Sequence, residues 1–122
     1  MDYDKQEYTE RIINAVPARL VVINLELIIS CLQNNQYKKA QAYLTELMVS
    51  LDMKYEISQN LMNIYLYVNK LIINAIYSKK EALKIVNEAE EILSKLLFAW
   101  KEIEKKSKNN SIKENITINI YI

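Results

Sequence analysis

The stretch ISQNLMNIYLYVNKLIINAIY, residues 57–77, decides the fold. Its apolar residues recur every three or four positions, which is the period of an α-helix, and they form two stripes. The first stripe predicts a core face and consists of Ile57, Leu61, Ile64, Tyr65, Val68, Leu71, Ile72 and Ala75. The second stripe, Met62, Leu66, Ile73 and Ile76, points elsewhere. A helix of a small bundle rarely needs a second apolar face unless something covers it. These four residues are therefore candidate partner-binding residues.

The segments on both sides of this stretch are also predicted to be helical. The preceding helix has one apolar stripe and one wet face, which is typical of an outer helix; its stripe is Ala40, Tyr43, Leu44, Leu47, Met48 and Leu51. After the stretch, Ser78 and Glu81 match the capping box S-x-x-E and predict the start of the last helix. That helix has apolar residues at bundle-seam spacing, Val86, Ala89, Leu93, Leu96, Trp100 and Ile103.

The first long helix is predicted to begin near Pro17, which suits the first turn of a helix. From Leu20 to Leu32 apolar residues occupy nearly every side, which indicates a central helix covered on several faces. Asn34 and Asn35 break this helix, and Asn35 can cap the next one. Glu26 is expected at the helix edge, paired with a lysine, and Cys31, the only cysteine, as a buried thiol.

Composition supports a single all-α domain. The 122 residues contain no glycine and one proline, so the backbone lacks the residue that usually supplies tight turns and phosphate cradles. The apolar share is 51% and the charged share 25%, which are ordinary globular values. The bundle is predicted to span residues 1–106, and residues 107–122 form a linker and tail. Such a chain is expected to act by surface contact.

Several classes of function are excluded by what the sequence lacks. It has no histidine and only two arginines, Arg11 and Arg19, so we expect no enzyme, metal site or cofactor. The net charge of +1, without a strong basic stripe, argues against nucleic-acid binding. The acidic, polar N-terminus does not look like a signal peptide, and no apolar run is long enough to span a bilayer. We therefore expect a cytoplasmic protein that does not bind membranes.

The two ends of the chain carry shorter signals. Tyr8, Ile12 and Ile13 recur at helical spacing for about one and a half turns, which predicts a small capping helix or hook. Residues 105–113 read as a polar linker. Beyond it, isoleucines alternate with polar residues from Ile116 to Ile122, which predicts a β-strand tail. A lone strand must pair with a second copy or a partner, or stay disordered.

Tyrosine is unusually frequent in this sequence, which contains nine tyrosines. Tyrosine combines a large apolar body with a polar tip, which suits partly wet contact surfaces. Tyr8, Tyr65, Tyr67 and Tyr77 could line such a surface, or they could be half-buried core residues.

The order of segments resembles the flagellar secretion chaperone family FliS. Five stretches carry the resemblance: Asn14–Leu20 (NAVPARL), Lys39–Asp52 (KAQAYLTELMVSLD), Glu56–Leu61 (EISQNL), Ile64–Tyr65 with Tyr67, and Phe98–Ile103 (FAWKEI). They are similar to the family's threonine-alanine-serine-proline start, its KAQ…ISEL…SLD helix, its EIA-NL…LYDY helix and its closing AW. The resemblance implies an antiparallel four-helix bundle with a short N-terminal capping helix. It also implies binding of the disordered C-terminal segment of flagellin, which is held unpolymerised until export.

The resemblance further implies that an N-terminal tyrosine, matched here by Tyr8, covers the client groove together with neighbouring apolar residues.

Departures from the family pattern mark this chain as a divergent, shortened member. Leu66 replaces the aspartate of LYDY, and the first helical hairpin is shorter by about two turns on each arm. That hairpin is expected to leave the far ends of the long helices uncovered. An alternative is a FliS-like paralogue that acts as a helical adaptor, with the second stripe buried in a homodimer and no flagellin bound.

Overall fold

The computed structural model describes the backbone of residues 18–113 and the side chains of residues 18–106. It contains four helices, α1 (Ala18–Gln33), α2 (Tyr37–Val49), α3 (Glu56–Tyr77) and α4 (Ala82–Lys113). No strand occurs within these residues. The prediction of an all-helical bundle is thus confirmed for this part of the chain. The hook residues Tyr8, Ile12 and Ile13 and the isoleucine tail lie outside it.

The four helices form a closed ring. Each helix packs against the next one in the chain, and α4 packs back against α1. Short connections at 34–36, 50–55 and 78–81 make consecutive helices antiparallel neighbours. The α1–α4 pair is antiparallel as well. Lys101 Nζ lies 3.5 Å from Glu26 Oε2, and Arg19 Nη1 lies 3.5 Å from Glu104 Oε1. The pairing predicted for Glu26 is therefore confirmed.

The core lies on the axis of this ring. It contains most of the predicted stripe residues, but Tyr43, Met48, Ile57, Leu96 and Ile103 are only partly buried and Ile64 is not part of it. It consists of Val21, Val22, Leu25, Ile28, Cys31, Leu32, Ala40, Leu44, Leu47, Leu51, Leu61, Tyr65, Val68, Leu71, Ile72, Ala75, Val86, Ala89, Leu93 and Trp100. Asn24 is also buried, and its amide nitrogen donates to the Leu20 carbonyl at 3.1 Å, which satisfies a polar group inside α1. The buried thiol of Cys31 agrees with its prediction.

Asn35 turns the chain where glycine would usually stand. Its φ is +58°, in the left-handed region. The Gln36 amide donates to the Cys31 carbonyl at 2.8 Å, and the Asn35 amide donates to the Leu32 carbonyl at 3.2 Å. These two bonds form a Schellman motif that ends α1. Asn35 was predicted to cap α2, and this is wrong because Gln36 holds that position, without a side-chain capping bond.

The start of α4 also differs from its prediction. A capping box at Ser78 and Glu81 would begin the helix at Lys79, but α4 begins at Ala82. The Glu81 amide donates instead to the backbone carbonyl of Ser78 at 3.0 Å, and the Ser78 amide still bonds to Asn74. Ser78 therefore ends α3, and a turn separates it from α4.

The last helix is longer than the sequence indicates. Residues 105–113, predicted as a polar linker, continue α4 to Lys113. This stretch contains four lysines, which are good helix formers, so it can continue the amphipathic helix that precedes it.

The two hairpins differ in length, as predicted. At about 1.5 Å per residue, α1 and α2 span roughly 24 and 20 Å, whereas α3 and α4 span roughly 33 and 48 Å. The tip of the α3–α4 hairpin consequently extends past the α1–α2 connection. Tyr77 and Leu83 lie on this overhanging tip and are 84% and 75% exposed.

Tyr65 is fully buried, and no described residue is within hydrogen-bonding distance of its hydroxyl. Burial raises the pKa of this phenol. Because an unpaired buried hydroxyl is costly, Tyr65→Phe is expected to raise the free energy of unfolding at neutral pH by about 1 kcal/mol. Urea unfolding followed by circular dichroism measures this change.

The same substitution has a pH signature. The phenol ionises at pH ~10 in the unfolded chain and at a higher pH in the folded one. The stabilising contribution of the neutral phenol is therefore fully present below pH ~10 and is lost as the pH rises above this value. Tyr65→Phe is expected to flatten this fall. A loss of stability in the variant at pH 7 would instead mean that the hydroxyl is hydrogen-bonded by residues outside 18–106.

Candidate partner-binding surface

The second apolar face predicted on α3 is present on the folded bundle. We call Met62, Leu66, Ile73 and Ile76 the α3 stripe. Leu66 is 50% exposed and Ile73 38% exposed, whereas Met62 and Ile76 are partly buried against the core. Leu66 and Ile73 are seven residues apart, so they share one helix face at a separation of about 10 Å. Exposed Tyr77 lies four residues beyond Ile73 and extends the same face.

A polar contact borders the α3 stripe on the side of α2. The Gln41 side-chain nitrogen donates to the Asn69 side-chain oxygen at 3.0 Å. Asn69 lies between Leu66 and Ile73 along the helix. This bond joins the two helices at the middle of the stripe, where α2 packs less extensively on α3 than on α1.

A cavity of about 710 Å³ opens where the α3–α4 hairpin overhangs the shorter one. It is lined by Asn35, Gln36, Tyr37, Lys38, Lys39, Ala75, Ile76, Lys79 and Ala82. We call it the step cavity. Ile76 belongs to the α3 stripe, so the stripe reaches the step cavity. Lys38, Lys39 and Lys79 make no ion pair with any residue among 18–106, so the cavity has a positive rim.

A second, more apolar groove of about 540 Å³ lies between α3 and α4. It is lined by Asn63, Ile64, Tyr67, Ile92, Lys95 and Leu96. The Tyr67 hydroxyl donates to the Glu88 carboxylate, and this hydrogen bond, followed by burial and the Glu88 charge, raises the pKa of the tyrosine. Tyr67 therefore lies on the opposite flank of α3 from Asn69.

The predicted site residues are thus only partly assembled. The structure brings together Met62, Leu66, Ile73 and Ile76, while Tyr8, Ile12 and Ile13 lie outside the described residues. Of the two alternatives left open for the tyrosines, Tyr65 takes the core position that its stripe predicts, whereas Tyr67 and Tyr77 are exposed on different parts of α3.

Sequence reasoning missed the outer face of α1. Leu20, Ile23 and Leu27, which we call the α1 stripe, are 40%, 40% and 38% exposed. The described residues therefore do not provide the cover predicted for this face, because α1 is one side of a ring and not its centre. The sequence signal for this exposed face was the presence of apolar residues on all sides of α1. That pattern indicates that every side of the helix needs a packing partner, but it does not show that each side has one.

Within residues 18–106 no three histidine, cysteine, aspartate or glutamate side chains are grouped so as to hold a metal ion. None of the described helices has the length and apolar character needed to cross a membrane.

Comparison with known proteins identifies the family. The family model described as "Flagellar protein FliS" matches residues 31–107, which include the end of α1, all of α2 and α3 and most of α4. Four of the five resembling stretches fall within this match. No curated protein and no solved structure matches the chain. Because the match covers more than half of the 122 residues, the chain belongs to the FliS family of flagellar proteins and has a chaperone-type role in that general sense.

Proposed function

We propose that this protein is a cytoplasmic export chaperone that binds the disordered C-terminal segment of flagellin and keeps it from polymerising before secretion. The observation that carries the proposal is the exposure of Leu66 and Ile73 on a bundle whose core is already closed. Large aliphatic side chains left on the surface of a folded domain mark a contact site for another polypeptide.

The α3 stripe suits a client that is disordered when free. Such a segment loses backbone entropy of about 1–2 kcal/mol per residue when it becomes ordered, so it needs buried apolar area in return. From Met62 to Ile76 the stripe is roughly 21 Å long, enough for about four turns of a client helix. An amphipathic helix laid on this face would present its own apolar residues at i, i+3, i+4 and i+7.

The step cavity lies at one end of the α3 stripe. A client lying along the α3 stripe toward Ile76 would reach the cavity and its lysine rim. The cavity volume of about 710 Å³ is large enough for several client side chains. The positive rim favours a client segment with acidic groups at this end, because opposite charges steer association.

The hook residues Tyr8, Ile12 and Ile13 complete the proposal. They would cover the α3 stripe in the free protein and leave it when the client binds. A cover held on the same chain protects the exposed leucine and isoleucine from nonspecific association.

Isothermal titration calorimetry with a synthetic flagellin C-terminal peptide from the same organism tests the proposal. We expect 1:1 binding by a monomer and a negative heat-capacity change, since apolar surface is buried. A peptide of the same composition in scrambled order is the control, because its apolar residues no longer share one face.

Equal binding of both peptides, or of neither, contradicts the proposal. In that case sedimentation velocity separates the alternative. A dimer whose population does not change with concentration, together with no peptide binding, would identify an adaptor that buries the α3 stripe against its own copy.

A further inference from the structure

The α1 stripe is a second exposed apolar face that the proposed client site does not use. Leu20, Ile23 and Leu27 follow the i, i+3, i+7 spacing of one helix face, and all three are more than a third exposed. They lie on the side of α1 that faces away from the core residues Leu25 and Leu32. No described residue covers this face, and three adjacent aliphatic side chains gain stability from a cover.

The register between α1 and α4 shows which part of the chain passes close to this face. Arg19 pairs with Glu104 and Glu26 pairs with Lys101, so the beginning of α1 lies beside residues 101–104 of α4. The last helix then continues to Lys113, nine residues beyond Glu104. At 1.5 Å per residue, Lys113 lies about 14 Å past the Arg19 level along the bundle axis.

The segment that follows has the length and pattern to return along α1. Residues 114–122 span at most about 30 Å when extended. The Arg19 level is about 14 Å from Lys113 along the axis, and the Glu26 level is about 18 Å away when counted along α4 and about 24 Å when counted along α1. Isoleucines at 116, 118, 120 and 122 recur at every second position, so in an extended segment they share one side about 7 Å apart.

The same measure places Leu66, in the middle of the α3 stripe, out of reach of these nine residues. Tyr67, next to Leu66, hydrogen-bonds Glu88, which precedes Lys113 by 25 residues. That is about 38 Å along the axis, longer than the extended segment. Distance from Lys113 therefore distinguishes Leu66 from the α1 stripe as a docking position.

We propose that the isoleucines of residues 114–122 dock on Leu20, Ile23 and Leu27. The docked segment covers the outer face of α1 and turns Thr117, Asn119 and Tyr121 to water. Because the segment is joined to α4, docking is intramolecular and its effective concentration is high. The docking site lies on a different helix from the α3 stripe, so it does not depend on what the α3 stripe binds.

Disulfide trapping in the full chain tests this contact. The pair Ile23→Cys with Ile120→Cys is expected to form an intrachain disulfide under mild oxidation. The matched control, Leu66→Cys with Ile120→Cys, is expected to form at least about tenfold less, because position 66 is beyond reach. Native Cys31 is retained since it is buried, and peptide mapping by mass spectrometry identifies which cysteines are joined.

Urea unfolding of variants tests the same contact without depending on the rate of disulfide formation. Ile23→Ala is expected to lower the urea midpoint of the full chain, and this shift is expected to vanish in an Ile120→Asp, Ile118→Asp background. Disulfides that join two chains, equal trapping at positions 23 and 66, or an Ile23→Ala shift that is the same in both backgrounds would each overturn the proposal. The first of these results would assign the α1 stripe to a second copy.

Discussion

Leu93→Ala is expected to lower the free energy of unfolding by about 2–5 kcal/mol. Leu93 is fully buried on α4, and α4 is the helix that closes the ring by packing on both α1 and α3. Truncation there removes apolar contact and leaves a cavity between elements that cannot all move inward together. Since small domains are stable by only about 5–15 kcal/mol, this is a large part of the total.

Urea unfolding followed by circular dichroism measures the change, with the slope m expected to stay constant. Leu83→Ala on the same helix is the matched control. Leu83 is largely exposed on the overhanging tip, so its truncation is expected to change stability by less than about 0.5 kcal/mol. A similar loss for both variants would mean that the tip is buried in the protein in solution.

Leu66→Glu and Ile73→Glu are each expected to weaken flagellin-peptide binding at least about tenfold, which corresponds to 1.4 kcal/mol. The client must either leave the new carboxylate in water, and lose that part of the contact, or bury a charge without a partner. Because both side chains are substantially exposed before the client binds, the helical circular dichroism signal is expected to remain. Calorimetry with the same peptide provides the measurement.

Asn74→Glu is the matched control for these variants. Asn74 is exposed on α3 directly after Ile73 but is rotated by about 100° from it, so the same charge is added beside the α3 stripe and not on it. The affinity of the Asn74→Glu variant for the flagellin peptide is expected to match that of the unaltered protein. If Leu66→Glu or Ile73→Glu instead unfolds the bundle, the α3 stripe is part of the core and the proposed client site is wrong.

The sequence predicts those parts of the molecule in which a helix has one clear apolar face. In α2, Ala40, Leu44 and Leu47 are buried as their spacing indicates. In α3, Leu61 and Val68 of the first stripe are buried, and Leu66 and Ile73 of the second stripe are exposed. The exposed part of the α3 stripe was predictable for the same reason. Leu66 and Ile73 lie on the far side of α3 from Leu61 and Val68, so one helix could not bury all four in a small bundle.

The parts that could not be predicted depend on packing between elements or on backbone geometry. Apolar residues on every side of α1 do not tell which side a ring of four helices leaves open, so the exposure of Leu20, Ile23 and Leu27 was missed. Asn35 takes the left-handed turn that ends α1, a role that asparagine shares with glycine, and the sequence pattern alone did not separate it from a capping role. Polar residues after Ile103 fit a linker and a solvated helix equally well.

The closing of α4 onto α1 has a consequence for how the chain is made. The ion pair between Arg19 and Glu104 joins residues 85 positions apart, whereas the other helix contacts join neighbours in the chain. During synthesis the first hairpin is complete early, but the flank of α1 that α4 will cover stays bare until residues near Lys101 have left the ribosome. Local contacts form fast and distant ones late, so ring closure is the step most exposed to aggregation. The protein therefore passes through a stage in which its own apolar surface is uncovered, and this stage ends only when its last helix is complete.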